Sequence, residues 1–168
     1  MADVTKVKLG ACSITANGTD LGHTIGGCEV TYTPEYKDMS VDLYGTTVFE
    51  KVLIGEMLQA KVNLAESTIA NLFKAIPQGV NGTTKLTIGA KAGKLSTTDA
   101  VQIVLHPLEN AANDKSLDVV LYKAISSEPL TLPFKFDDET VAEVTFTTLL
   151  DESKSDGNYL GLIGDSTT

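Results

Sequence analysis

The chain contains no tryptophan and no arginine, and only five tyrosines and five phenylalanines. It is therefore short of the ring faces on which sugars stack. With arginine absent, 13 scattered lysines are the whole basic complement, set against 22 acidic side chains and a net charge of −9. Backbone recognition of nucleic acid needs clustered cations that displace counterions, and this chain offers no such cluster. No apolar run approaches the roughly 18 residues that a membrane helix requires. The opening MADVTKVKLG has no hydrophobic stretch after its charges, unlike a secretory signal. The expectation is a protein made and kept in the cytoplasm, with no membrane insertion.

Cysteine and histidine are equally sparse. Cys12 and Cys28 read as buried free thiols in a reducing compartment. A disulfide between them would require the strands that carry them to pair. His23 and His106 have no second ligand at metal spacing, so neither a metal nor another cofactor is expected. The sequons at Asn17 and Asn81 carry no weight without secretion, and Asn81-Gly82 instead marks a tight hairpin turn.

What the sequence does have is alternation of period two, from end to end. Leu58, Ala60, Val62 and Leu64 point one way and Gln59, Lys61 and Asn63 the other. Ala142, Val144, Phe146 and Thr148 alternate with Glu143, Thr145 and Thr147. Leu130, Leu132, Phe134 and Phe136 do the same around Pro133, which cannot donate to a ladder and so implies an edge strand. Further strands are expected over Val4–Leu9, Ala11–Ala16, Cys28–Thr33, Lys37–Tyr44, Thr47–Ile54, Lys85–Gly89, Val101–Leu105 and Leu117–Ala124. One segment departs from this period: Ile69, Leu72, Phe73 and Ile76 form a helical stripe, with Ser67 as its cap and Pro77 as its stop. A length of 168 residues suits one domain, residues 1–168, with ordered arms at 1–10 and 151–168. The fold class expected is mainly β, an antiparallel sandwich or partly open barrel with one short helix at about 67–76.

Candidate chemistry is thin. The glycines of LGHTIGG are not followed by the Gly-Lys-Ser/Thr of a phosphate loop, and no Gly-x-Ser-x-Gly elbow occurs. Carboxylates are plentiful but spread over turns and strand ends, and the run Asp137-Asp138-Glu139 fits a hairpin turn. A sugar hydrolase would need two acids held across a cleft. No catalytic residue is assigned, and the chain reads as a non-enzyme.

One long stretch, LGHTIGGCEVTYTPEYKDMSVDLYG, alternates without a greasy face. Together with VFEKVLIGEMLQAKVNLAESTIANLFKAIP it resembles the major tail tube proteins of long-tailed bacteriophages and prophages. The matching elements are Leu21, Gly22, Thr24, Gly26 and Gly27; Asp42, Tyr44 and Gly45; Gly55 and Glu56; Leu64, Ala65 and Glu66; and Ser67 to Pro77. LPFKFDD and VAEVTFTTLLDESKSDGNYLGLIGD resemble the same family's final strands and tail.

The resemblance implies a virion structural protein, assembled in the host bacterial cytoplasm into six-membered rings that stack as a hollow tube. Its implied partners are other copies of itself, a tape-measure protein, and the tail terminator and distal tail proteins. DNA would pass through during ejection without specific binding. From composition, the Thr33–Gly55 segment reads as a subunit interface, since Tyr36, Asp42, Tyr44 and Phe49 mix aromatic and charged character. Tyr159 and Leu160, in an apolar cluster near the C-terminus, are candidates for a second contact. Two other readings stand beside this one: a non-catalytic β-sandwich binding module of carbohydrate-binding or adhesin-like type, and the tube subunit of a secretion or contractile injection system.

Overall fold

The computed structural model describes residues 10–66, 68–76, 79–82, 84–126, 128–133 and 141–165. Strand β1 (Cys12–Ala16) turns through Asn17-Gly18 into the short β2 (Thr19–Asp20). Both turn residues have positive φ, +49° and +75°, the left-handed geometry that a two-residue hairpin turn requires. Next come two long strands, β3 (Thr24–Met39) and β4 (Glu50–Leu64), and the only α-helix among the described residues, α1 (Ile69–Ala75). A small ribbon follows, β5 (Val80–Asn81) with β6 (Leu86–Thr87), in which the Gly82 N–H donates to the Lys85 carbonyl; Asn81 itself pairs with Leu86, so the expected Asn81-Gly82 turn pair is the end of the strand and not the turn. The chain continues through β7 (Val101–Pro107), β8 (Val119–Ser126), β9 (Ala142–Thr148) and β10 (Gly161–Ile163).

Eight of these strands form one antiparallel sheet in the order β2-β1-β7-β8-β9-β4-β3, with β10 joined to β8. The fold is mainly β with one helix, as the alternation requires. The sheet folds over a shared core rather than closing into a barrel, since no ladder joins β1 to β3. Inward residues from five strands meet there, among them Ile14 and Ala16 of β1, Ala60 and Val62 of β4, Ile103 of β7, Leu121 of β8 and Phe146 of β9. Registration matches volume to volume: Phe146, fully buried, lies opposite Ala60 in the neighbouring strand. Truncating such a phenylalanine costs about 3–5 kcal/mol because the cavity does not collapse.

The second edge of β8 is shared. Its first residues pair with β10 (Val119↔Ile163, Leu121↔Gly161) and its last with β9 (Ala124↔Thr148, Ser126↔Phe146). Gly161 permits the approach, because a Cβ there would strike the Val120 carbonyl oxygen and the Leu58 side chain.

Several boundaries differ from the sequence expectation. The segments Cys28–Thr33 and Lys37–Tyr44 are parts of one strand that ends at Met39, and Asp42–Tyr44 is a 3-10 turn. Likewise the expected Thr47–Ile54 and Leu58–Leu64 segments fall in one strand, which begins only at Glu50. Pro34 and Gly55 read as breaks, but a bulge absorbs them: Glu35 pairs with Gly55 and Tyr36 with Leu53, leaving Ile54 as the extra residue. Pro34 is tolerated because β3 is an edge strand paired with β4 alone. Residues 130–133 are not a strand, and the rest of the expected Leu130–Phe136 strand, with the Asp137-Asp138-Glu139 turn, lies outside the described residues, as does Val4–Leu9.

The helix is capped by Thr68, one residue later than expected, whose hydroxyl accepts the Asn71 N–H at 3.2 Å. Its deepest positions are Asn71 and Ala75, while Ile69, Leu72, Phe73 and Ile76 are half-buried. The helix therefore rests on a face rotated from the apolar stripe. Ser67 and Pro77 lie outside the described residues.

Candidate functional site

Among the described strands, only the lower part of β4 has a neighbour on each side. Gln59 to Leu64 pair with β9, whereas Glu50 to Leu58 pair with β3 alone. At about 3.3 Å per residue, this two-stranded arm reaches roughly 25–30 Å past the last β9 pairing. Only its base is covered, where Leu58 is buried beside Gly161 of the tail; beyond that, the arm's apolar side chains are exposed. Leu43 is 82% exposed, Tyr44 62%, Ile54 57% and Phe49 53%, and Tyr32, Tyr36, Met39, Val48, Val52 and Leu53 are also exposed. Isolated two-stranded ribbons are marginal in water, and contiguous apolar patches of this extent mark interaction surfaces.

The arm is ordered by its own cross-strand contacts. Asp38 and Lys51 face each other in register and form an ion pair at 2.8 Å. The Tyr32 hydroxyl donates to Glu56 Oε1 at 2.5 Å, and the carboxylate so near pushes the phenol up to about 12. At the tip, the Phe49 N–H donates to the Met39 carbonyl at 3.0 Å and closes the loop around the Asp42–Tyr44 turn. Gly45 follows that turn with φ +63°, a conformation costly for a residue with a Cβ.

The structure brings Tyr36, Asp42, Tyr44 and Phe49 together on this arm, all exposed. Tyr159 and Leu160 behave differently: both are half-buried against their own chain. The Tyr122 N–H donates to the Leu160 carbonyl and the Asp151 N–H to the Tyr159 carbonyl. A groove of about 610 Å³ connects the two regions, lined by Tyr32, Leu53 and Leu58 at the arm's base and by Tyr159, Leu160 and Ile163 on the tail.

The loop between Asp151 and Asn158 is folded tightly. The Asp151 carboxylate meets Lys123 Nζ at 2.8 Å and accepts from the Ser153 hydroxyl at 2.8 Å. The hydrogen bond from Lys123, then those from Ser153, lower its pKa to about 2. The Tyr122 hydroxyl donates to Asn158 Oδ1 at 2.9 Å, and Lys154 stands over the Tyr122 ring.

The opposite face of β3, β4 and β9 is wet. Glu29, Thr31, Gln59, Lys61, Glu143 and Thr145 line a shallow groove of about 450 Å³ with Glu128 and Pro129. Lys61 is held by Glu143 at 3.0 Å, and Gln59 Nε2 donates to Thr147 Oγ1 at 3.0 Å. The one cation among the described residues of this groove is thereby matched, and Glu29 and Glu128 leave that described lining net acidic.

Sequence reasoning missed one polar cluster. Ser13 lies opposite His106 in register, and His106 Nδ1 is 2.6 Å from Asp118 Oδ1, whose side chain is buried. These are the residue types of a hydrolytic triad, but the geometry is that of a tie between strands. The Ser13 hydroxyl points to the His106 backbone carbonyl at 3.4 Å, and His106 Nε2 is shut away from solvent. His23 has a separate partner, Glu66. No three metal-ligating side chains converge among the described residues, and no described helix is long and apolar enough to cross a membrane. No protein-family model matches the chain, and neither does any curated protein sequence.

Proposed function

We propose that this protein is a structural subunit that polymerises with copies of itself into a tube of stacked rings, the role that its resemblance to tail tube proteins implies. The observation that carries this reading is the β3–β4 arm, apolar on uncovered faces and open along the β4 edge from Glu50 to Met57. Unpaired strand edges recruit other chains, and an arm of this length reaches well beyond its own body. Head-to-tail contacts that close make a ring, and a second contact along the axis makes a tube. In this reading the arm supplies the axial contact, and the groove between arm and tail receives part of a neighbouring copy.

The wet face of β3, β4 and β9 is the wall of the channel. Threonines and glutamine offer neutral hydrated positions, and the acids repel phosphate, so that a nucleic acid slides instead of binding. A tape-measure protein inside the tube and terminator and distal proteins at its ends complete the assembly. Negative-stain electron microscopy of the purified, concentrated protein tests the reading. Hollow filaments with a regular axial repeat are expected, and single dispersed subunits at every concentration would exclude it.

A further inference from the structure

The sheet ends on strands that no ladder joins, β1 with its short partner β2 at one end and β3 at the other. Its curl nevertheless brings the start of β1 against β3. The strand pairing expected as the condition for a Cys12–Cys28 disulfide is absent, and the two cysteines approach across an unpaired seam instead. Gly26 and Gly27 both have φ +81°, and the register with β4 shifts between Thr24 and Cys28, so β3 bends where it meets β1. A Cβ on Gly27 would stand 3.9 Å from the Gly10 carbonyl oxygen. One residue further along β3, the thiols of Cys28 and Cys12 are close enough to share a side-chain hydrogen bond. Both are partly buried against the core, and neither is in a disulfide.

We propose that Cys12 and Cys28 form a dithiol site that a small-molecule disulfide oxidises, closing the seam between β1 and β3 with an intramolecular bond. Position, more than reactivity, makes this site informative. Along the described path of the sheet, hydrogen bonding runs from β2 to β3 and stops, and the two thiols lie across the gap.

The thiols differ in role. Cys28 accepts hydrogen bonds from Cys12 and from Thr24, which lower its pKa although partial burial opposes them. Cys12 is held protonated by its bond to Cys28 and then by burial. The Cys28 thiolate attacks one sulfur of the disulfide RS–SR, forming Cys28–S–SR and releasing RS⁻, which takes up a proton. Once Cys28 is in a mixed disulfide, no thiolate holds the Cys12 proton. Cys12 then loses its proton to solvent and attacks Cys28 Sγ, and the bond to the R sulfur breaks to release the second RSH. Two protein thiols are oxidised by two electrons, and one RS–SR is reduced to two RSH. This proposal concerns the single subunit and stands whether or not the chain polymerises.

The test uses the reduced full chain and oxidised glutathione, followed by alkylation and intact mass measurement. The expected product is lighter than the reduced chain by two hydrogens, retains no glutathione, takes up no alkylating agent and yields joined Cys12 and Cys28 peptides. Cys12→Ser and Cys28→Ser should each stop at one glutathione, on the cysteine that remains, with no internal disulfide. A wild-type chain that ends with glutathione on each cysteine, as cross-linked pairs of chains, or with both thiols still free overturns the proposal. That measurement on the wild type decides the matter even if a variant does not fold.

Discussion

The side-chain amide of Asn71 donates to the Leu21 carbonyl oxygen at 2.7 Å, and it also reaches the Glu66 carbonyl at 2.9 Å. One buried residue thereby ties the helix to both ends of the long hairpin, where the chain enters β3 and where it leaves β4. Gly22 sits in the same junction at φ +83°, and a Cβ there would lie 2.5 Å from the Glu66 carboxylate. Asn71→Ala leaves two inward carbonyls unsatisfied, and an unsatisfied buried group costs about 1–3 kcal/mol. The expected result is a lower urea midpoint at unchanged slope. A midpoint equal to wild type would show that the helix is held some other way.

Shortening the arm separates folding from assembly. Lys37 and Val52 are partners in register, so excising residues 38–51 and joining these two through Asn-Gly preserves the hairpin geometry. The variant is expected to be a folded, soluble monomer by size-exclusion chromatography and circular dichroism, with no filaments. Normal tubes from this variant would rule the arm out as the axial contact.

Charge reversal on the wet face addresses the channel. Glu29→Lys with Glu143→Lys releases Lys61 from its ion pair and adds two cations to the same groove. If that groove lines the channel, mutant tubes should retain double-stranded DNA at low salt and release it as salt rises, whereas wild-type tubes retain none. Equal DNA retention by the two kinds of tube would place the groove elsewhere.

Acid should loosen the tail. Asp151 in the folded chain titrates at about 2, below its ordinary value of 3.8. A depressed folded pKa contributes stability that is complete above the unfolded value and is lost as pH falls through the folded one. Between about pH 4 and pH 2, wild type should therefore lose stability more steeply than Asp151→Asn, and below pH 2 the two curves should run parallel. Stability measured by thermal unfolding across this range checks it, and superimposable slopes would argue against the Lys123–Asp151 clamp.

The sequence was most legible where burial is one-sided. Leu58 to Leu64 and Ala142 to Thr148 alternate because one face meets the core, and both are strands with the expected residues inward. The arm was legible in composition but not in extent. Pro34 and Gly55 carry the local signature of breaks, and only the cross-strand register reveals that a bulge carries the strands past them. Asn71 and the His106–Asp118 pair were illegible for another reason: their partners are set by tertiary packing, and no local pattern announces a buried polar residue. Tyr159 and Leu160 are legible as an apolar cluster held by packing, but their partners are not: Leu160 accepts from the Tyr122 N–H and Tyr159 from the Asp151 N–H, which no local pattern marks.

The pairing of β3 with β4 is also a matter of timing. It is the one long pairing in the sheet made between consecutive strands; β1 must wait for β7, and β4 for β9. Synthesis at roughly 5–20 residues per second puts on the order of ten seconds between the completion of Leu64 and that of Thr148. For that interval a nascent chain can close its arm but cannot build the body that orients it. Premature contact between such chains would join arms without rings. The charged residues spaced along the arm, Glu35, Lys37, Asp38, Glu50 and Lys51, keep each such encounter weak until the sheet behind it is complete.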